Sequence, residues 1–358
     1  MWMPKLMLLV IIPTVACQVM PGGEAGRGPR VPAEPLPLWS AELDRGEYRV
    51  GGVSRLSPRL VSSRIAFGDE HELVVLLELD AGASSITTRA FVLDAATGTL
   101  EKRLDLTGPT PARIAGTPTG YVVETPTGVT SWTLGLRSST AKSSATGLRV
   151  SPDGRVVAIW SGEISPGHGV TRFLNPTSLE SAGIDVYDTA VQSISRDRVA
   201  YTVRREGRRT ASIAYRPEDN YAPIYDTECE DVSPHFVRND AVVAIGCGLL
   251  ELVTLAGNRQ FVTTVGRVSG VASIARDGTR IAVYEDSYST ASPPTLASEC
   301  FRVLDLRDGK EVASIPVREF VGQEHANSAA ALSPNGTVVV ISSDDHVRAY
   351  SVPTTGVR

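Results

Sequence analysis

Seven runs of nearly continuous apolar residues, each entered through a turn signal, constrain this chain more than any other feature. They are LVVLLEL (73–79), YVVET (121–125), RVVAIWS (155–161), RVAYTV (198–203), AVVAIG (241–246), RIAVYE (280–285) and TVVVIS (337–342). The clearest turn signals are Ser151-Pro-Asp-Gly154, Ala275-Arg-Asp-Gly278 and Ser333-Pro-Asn-Gly336. Looser versions are Ser195-Arg-Asp197, Val237-Arg-Asn-Asp240, Ala66-Phe-Gly-Asp69 and the stretch from Ala115 to Gly120. Asp-Gly and Asn-Gly reach the positive φ angles of tight hairpins, and Pro presets the position before them. A strand with one wet face alternates apolar and polar residues, so these unbroken runs imply strands covered on both faces.

The spacing turns the motif into an architecture. Ser151 to Ser195 is 44 residues, Ser195 to Val237 is 42, and Val237 to Ala275 is 38. Repeats of about 40–45 residues carrying four strands each are the mark of propeller blades. The interval from Ala275 to Ser333 is 58, and the stretch EDSYSTASPPTLASEC (285–300) reads as an insertion in it. Outer strands are visible at 89–103 and 301–315, each pair joined by a turn of the type Asp94-Ala-Ala-Thr-Gly98 or Asp305-Leu-Arg-Asp-Gly309. No stretch carries a long, well-capped helical period.

The last repeat stops one strand short, because a turn at Pro353-Thr-Thr-Gly356 is followed only by Val357 and Arg358. The stretches 38–43 and 48–53 have no repeat of their own. One of them pairing with the last blade would remove two exposed edges. The expectation is an all-β, seven-bladed β-propeller over residues 38–358, closed by an N-terminal strand.

Residues 1–17 carry a Lys, an apolar run from Leu6 to Ile12 and small residues before Cys17. The run is shorter than the ~20 residues a spanning helix needs. This is the layout of an export signal. Cys17 after Thr-Val-Ala resembles a bacterial lipoprotein processing site, with plain cleavage nearby as the other reading. Residues 18–37, rich in Pro and Gly, read as a flexible tether. The expected location is therefore periplasmic, membrane-anchored as a lipoprotein, or secreted.

The stretch from His325 to Tyr350, HANSAAALSPNGTVVVISSDDHVRAY, resembles a WD repeat, with Tyr350 where that family usually has Trp. The other repeats lack the His and the Trp-Asp ending. Their D-x-x-T-G turns resemble the looser bacterial quinoprotein-like and surface-layer-like propellers. The resemblance spans roughly residues 40–355 and implies the fold; a propeller scaffold does not itself dictate an activity.

Chemistry is sparse. The formal net charge of −5 leaves no basic footprint for nucleic acid. The five histidines, His71, His168, His235, His325 and His346, show no metal-ligand spacing. No phosphate loop, G-x-S-x-G elbow or quinone-dehydrogenase Cys pair occurs. Asn335-Gly-Thr is a glycosylation sequon that falls on a tight turn. Catalytic residues, a metal and a cofactor are not expected, apart from calcium on acidic loops. Cys229 and Cys247 fall at the same end of one repeat and form the candidate disulfide. Cys300 is then expected to stay single and buried.

In a propeller the loops from strand two to three and from strand four to the next blade share one face. Here they hold Glu163, Glu228, Glu230, Asp231, Glu285, Asp286, Glu319 and Glu324, an acidic face suited to a cation or a basic partner. The expected function is an exported, monomeric, non-catalytic scaffold. Its partner is a protein or glycan of the cell envelope, and it meets the membrane only through a lipid anchor. The alternative is a propeller hydrolase or lactonase with a metal at the central channel, which requires inward Asp, Glu, Asn or His residues converging on one point.

Overall fold

The computed structural model describes residues 36–354, except 47, 51–53, 57, 81–85, 107–110, 112, 138, 144–145, 163–168, 188–190, 206–207, 215–221, 267, 289–295, 318–327 and 344. The expected export signal, Cys17 and nearly all of the tether lie outside the described residues. So do Glu163, Glu319, Glu324, His168 and His325.

The chain is an all-β propeller. Its strands form four-stranded antiparallel sheets built in chain order: sheet 1 (59–106), sheet 2 (113–143), sheet 3 (146–187), sheet 4 (193–227), sheet 5 (233–264), sheet 6 (268–316) and sheet 7 (328–351 with Trp39–Glu42). A ribbon of Tyr48–Val50 and Ser54–Leu56 stands apart from them. Each sheet touches the next along the chain, and sheet 7 touches sheet 1. Among the described residues no helix is long and apolar enough to cross a membrane.

The apolar runs are the second strands, and both of their faces are covered. Leu73, Val74, Val75, Leu76 and Leu77 are all essentially solvent-free, although their side chains alternate between the two faces of sheet 1. Odd-numbered members pack into a core shared with sheet 7, and Val74 and Leu76 pack towards Tyr121 of sheet 2. Each inter-sheet layer is thus built by two neighbouring sheets, and no sheet has a core of its own. Polar bonds follow the same rule. The Tyr121 hydroxyl donates to Glu72 of sheet 1 at 2.9 Å, and burial together with that carboxylate pushes the phenol pKa up.

The turns explain why the repeat is legible. In the corner after the first strand, Ser151 Oγ meets Asp153 and accepts from the Val156 amide. Ser333 repeats this with Asn335 and the Val338 amide. Asn335 also accepts from the Thr337 amide and hydroxyl, so the sequon's side chain is bound into its own turn. In the outer turn, Asp94 Oδ1 accepts from the Ala96 and Thr97 amides, and Gly98 closes the loop at φ 72°. The other designated turn glycine, Gly309, has φ 71°.

Trp39–Glu42 pairs antiparallel with His346–Ser351, Trp39 standing opposite Ala349 and Glu42 opposite His346. The Leu38 and Leu43 amides extend the ladder at both ends by bonding Ala349 and Asp345 carbonyls. The Trp39 ring lies against Gly98 of sheet 1, where a Cβ would collide with it, and its Nε1 donates to Ala95 O at 2.9 Å. Phe261, on the outermost strand of sheet 5, covers Gly309 of sheet 6 in the same way. Trp39 on sheet 7 therefore covers its neighbour's turn glycine as Phe261 does on sheet 5.

One sequence expectation is corrected here. The stretch 285–300 is not an inserted loop at its ends. The second strand of sheet 6 runs from Arg280 to Tyr288 and the third from Leu296 to Asp305, with Glu285 opposite Cys300 and Asp286 opposite Glu299. The hairpin is as tall as that of sheet 1, where Glu72–Asp80 pairs with Ile86–Asp94, and taller than those of sheets 2 to 5 and 7.

Truncating Trp39 removes a buried aromatic wedged between two sheets. Trp39→Ala should lower unfolding stability by about 3–5 kcal/mol, read as an earlier urea midpoint. A midpoint equal to that of the parent chain would show that this strand does not hold sheets 7 and 1 together.

Candidate functional site

The first strands of sheets 1, 2, 3, 6 and 7 line a cavity of about 740 Å³. A second space of about 290 Å³ continues it towards the Ser-Pro-Asp-Gly corners. Ile65, Ile114, Arg149 and Ala330 line both, so the two form one axial slot. Its walls are largely small or branched apolar residues. Tyr284 and Phe301 add a tilted aromatic pair with ring centroids 5.4 Å apart.

Among the described residues the charged lining of the larger space is basic: Arg64, Arg113 and Arg149, from sheets 1, 2 and 3. Each is steered by its neighbours. Arg64 Nη1 donates to Ser62 Oγ at 2.5 Å and lies 3.5 Å from Glu78. Arg113 Nη1 reaches over to sheet 3 and donates to Leu148 O at 3.1 Å, with Glu124 at 3.8 Å. Glu124 is already engaged, because it accepts from the Gly147 and Leu148 amides at 2.5 and 3.1 Å. Arg149 donates to Leu148 O at 2.9 Å and to Gln192 O, at the edge of sheet 4, at 2.8 Å. The arginines thus clip sheet 2 to sheet 3 and sheet 3 to sheet 4 at the inner rim.

A fourth guanidinium bridges the other end of the slot. Arg276, in the corner of sheet 6, donates to Phe67 O and Gly68 O of sheet 1 at 2.6 and 2.7 Å. Gly116 of sheet 2 lies so close that a Cβ there would overlap Phe67 O. His235 also lines the narrow space, with Nε2 3.1 Å from Ser233 Oγ. Burial pushes its imidazole down to about 4, so it is neutral at neutral pH.

The acidic residues expected to share one face are distributed differently. Glu228, Glu230 and Asp231 are exposed on the segment entering sheet 5. Glu285 and Asp286 are corrected: they are buried ladder residues of sheet 6. Glu285 accepts from Arg302 at 2.7 Å, and Asp286 stands opposite Glu299, whose carboxylate accepts from Tyr284. The ladder continues past both residues to Tyr288 and Leu296. Among the described residues no three His, Cys, Asp or Glu side chains converge as a metal-ligand set.

Cys229 and Cys247 are joined by a disulfide, with Cα atoms 5.8 Å apart. It ties the acidic segment to the tight hairpin at Cys247-Gly248, both in the left-handed region at φ 50° and 77°. A cleft of about 470 Å³ opens beside it, lined in part by Tyr225, Glu228, Glu251 and Arg259. Arg259 pairs with the buried Glu251 at 2.9 Å. Cys300 is corrected too: it is disulfide-bonded and not a single thiol. A count of cysteines shows which are available to pair but not which strand ends meet.

Sequence reasoning did not single out Arg64, Arg113, Arg149 or Arg276. A signal existed for the first three. Arg-Ile-Ala recurs at 64–66 and 113–115, and Arg-Val follows at 149–150, each shortly before a corner. Inner strands look toward the axis, so a basic residue recurring there in consecutive repeats marks the hub.

No protein-family model matches the chain, and no curated protein matches it. Solved structures do. An oligogalacturonate lyase in complex with manganese aligns with TM-score 0.52 and 11% identity, over 90% of this chain and 99% of that one. A chain of the mitotic checkpoint complex aligns with TM-score 0.51 and 11% identity, over 97% of this chain and 100% of that one. The Pan2 WD40 domain of Neurospora crassa aligns with TM-score 0.50 and 10% identity, over 90% and 96%. At these identities the likeness concerns the fold, which is that of WD-repeat-like propellers.

Two measurements check the local chemistry. Between pH 6.5 and about 4 the unfolded chain takes up a proton at His235 and the folded chain does not, so stability falls as pH falls through that window. His235→Asn should shrink this loss by roughly 2–3 kcal/mol, read from urea midpoints at pH 7 and pH 4. An unchanged pH dependence would place His235 in contact with solvent. Replacing Cys229 and Cys247 by Ser opens a loop with a sequence separation of 18. The double variant should lose about 3 kcal/mol of stability. An unaltered melting temperature would show that the bond is absent in solution.

Proposed function

We propose, starting from a WD-repeat-like propeller, that this chain is an exported, non-catalytic interaction scaffold. Its sheets act as seven blades of one ring, latched by Trp39–Glu42 as the missing strand of the last blade. The partner is a protein or glycan of the cell envelope, engaged at the face where the slot's wider end opens. The observation that carries this reading is the charged lining of the axial slot. It presents guanidinium groups held by carbonyls and carboxylates, a surface for recognition and not a set of metal ligands or a nucleophile with its base.

The disulfides support export. Cys229–Cys247 and the bonded Cys300 suit an oxidising compartment. Residues 1–17 have the layout of an export signal, and residues 18–37 would join it to the ring as a flexible tether. A rigid disk with variable loops on one face divides stability from recognition in the usual way.

Site-specific photo-crosslinking in the source cells tests the reading. A crosslinker at Glu230, on the slot-opening face, should give a discrete, saturable adduct in the envelope fraction. The same group at Asp308, exposed in an outer turn of the opposite face, should give none. Equal labelling from both faces, or adducts only in the cytosol, would contradict it.

A further inference from the structure

We infer that the axial slot receives the acidic side chains of an extended peptide segment of the partner. The inference rests on the scaffold reading and names what the scaffold grips. Three observations carry it. First, Arg64, Arg113 and Arg149 face one cavity of about 740 Å³, and among the described residues no carboxylate lines it. Volumes of this order are typical of ligand sites. Second, Arg113 and Arg149 have no hydrogen-bonded carboxylate among the described residues. Glu124 lies 3.8 Å from Arg113, an ion pair beyond hydrogen-bond reach, and the Arg113 hydrogen bond goes to Leu148 O. Among the described residues Arg149 is held by carbonyl oxygens alone, through Nε and Nη1, which leaves Nη2 without a hydrogen bond. A guanidinium fork with an open edge matches a carboxylate in two-point fashion. Third, Arg276 at the far end donates to two carbonyls, with Glu70 and Asp69 near it, so the guanidinium excess lies at the wide end of the slot.

Shape selects the class of anion. The wide and narrow spaces are continuous along the axis. Ile65, Ile114, Val150 and Ala330 lie between the charged groups. An elongated slot with apolar walls suits alternating acidic and apolar side chains better than a compact inorganic anion. Apolar walls also lower the local dielectric and strengthen each charge pair. The rest of the face sets direction. Exposed Glu228, Glu230 and Asp231 lie at sheet 5, while the arginines come from sheets 1 to 3. An acidic segment is drawn to one side of the mouth and repelled from the other.

Titration calorimetry tests this with two ten-residue probes, one alternating Glu and Leu, the other Gln and Leu. The Glu probe should bind at least tenfold tighter than the Gln probe and weaken as salt is raised. Arg113→Gln and Arg149→Gln should each reduce binding of the Glu probe about tenfold or more, and Arg149→Lys should retain part of it. Arg149 also clips two sheets, so the half-exposed Arg113 supplies the variant that keeps the fold. Circular dichroism melts confirm folding for each.

Equal binding of both probes, or no binding of the Glu probe to folded protein, would overturn the inference. So would full displacement of the Glu probe by inorganic phosphate at comparable concentration, which would mark a small-anion site. A negative result here leaves the face-specific crosslink from Glu230 intact. Failure of that crosslink, with the Glu probe still bound, would remove the scaffold and not the peptide site.

Discussion

A sheet edge that meets no partner strand is the constraint on which the rest of this molecule depends. Every sheet in the ring shares its core layers with two neighbours, so none is stable alone. The ring therefore needs its last sheet complete and in contact with its first. Trp39–Glu42 meets both needs at once. Its backbone pairs with His346–Ser351, while the Trp39 ring crosses to Gly98 and Ala95 of sheet 1. Trp39 on Gly98 packs as Phe261 on Gly309 does at the junction of sheets 5 and 6.

Closure has a chemical consequence. Once the inner strands are fixed, side chains at the axis are held at set distances whatever their identity. The hub can then carry charge that a looser fold would let drift into solvent. Arg113 and Arg149 use this, each bonding a carbonyl at the next sheet's edge, so the groups that decorate the slot also brace it. Charge at the hub and integrity of the ring are coupled through these two side chains.

The architecture was legible because its signals are local. A Ser-Pro-Asn-Gly corner and an Asp-Ala-Ala-Thr-Gly turn satisfy their own hydrogen bonds within five residues, and unbroken apolar runs report two covered faces. The site was not legible in this way, because it is made by residues about 40 positions apart that meet only when the ring closes. Glu285 and Asp286 show the same limit in reverse. A window of sequence places them in a loop, but a hairpin ladder that extends to Tyr288 and Leu296 draws them inside.

Native-state hydrogen exchange measures closure most directly. The amides of Leu38 and Leu43 bond carbonyls of the last strand. In a latched ring they exchange only on global unfolding, at rates matching the core amides of Val339 and Ile341 at every denaturant concentration. Exchange of Leu38 and Leu43 orders of magnitude faster, with the core still protected, would contradict closure by the N-terminal strand.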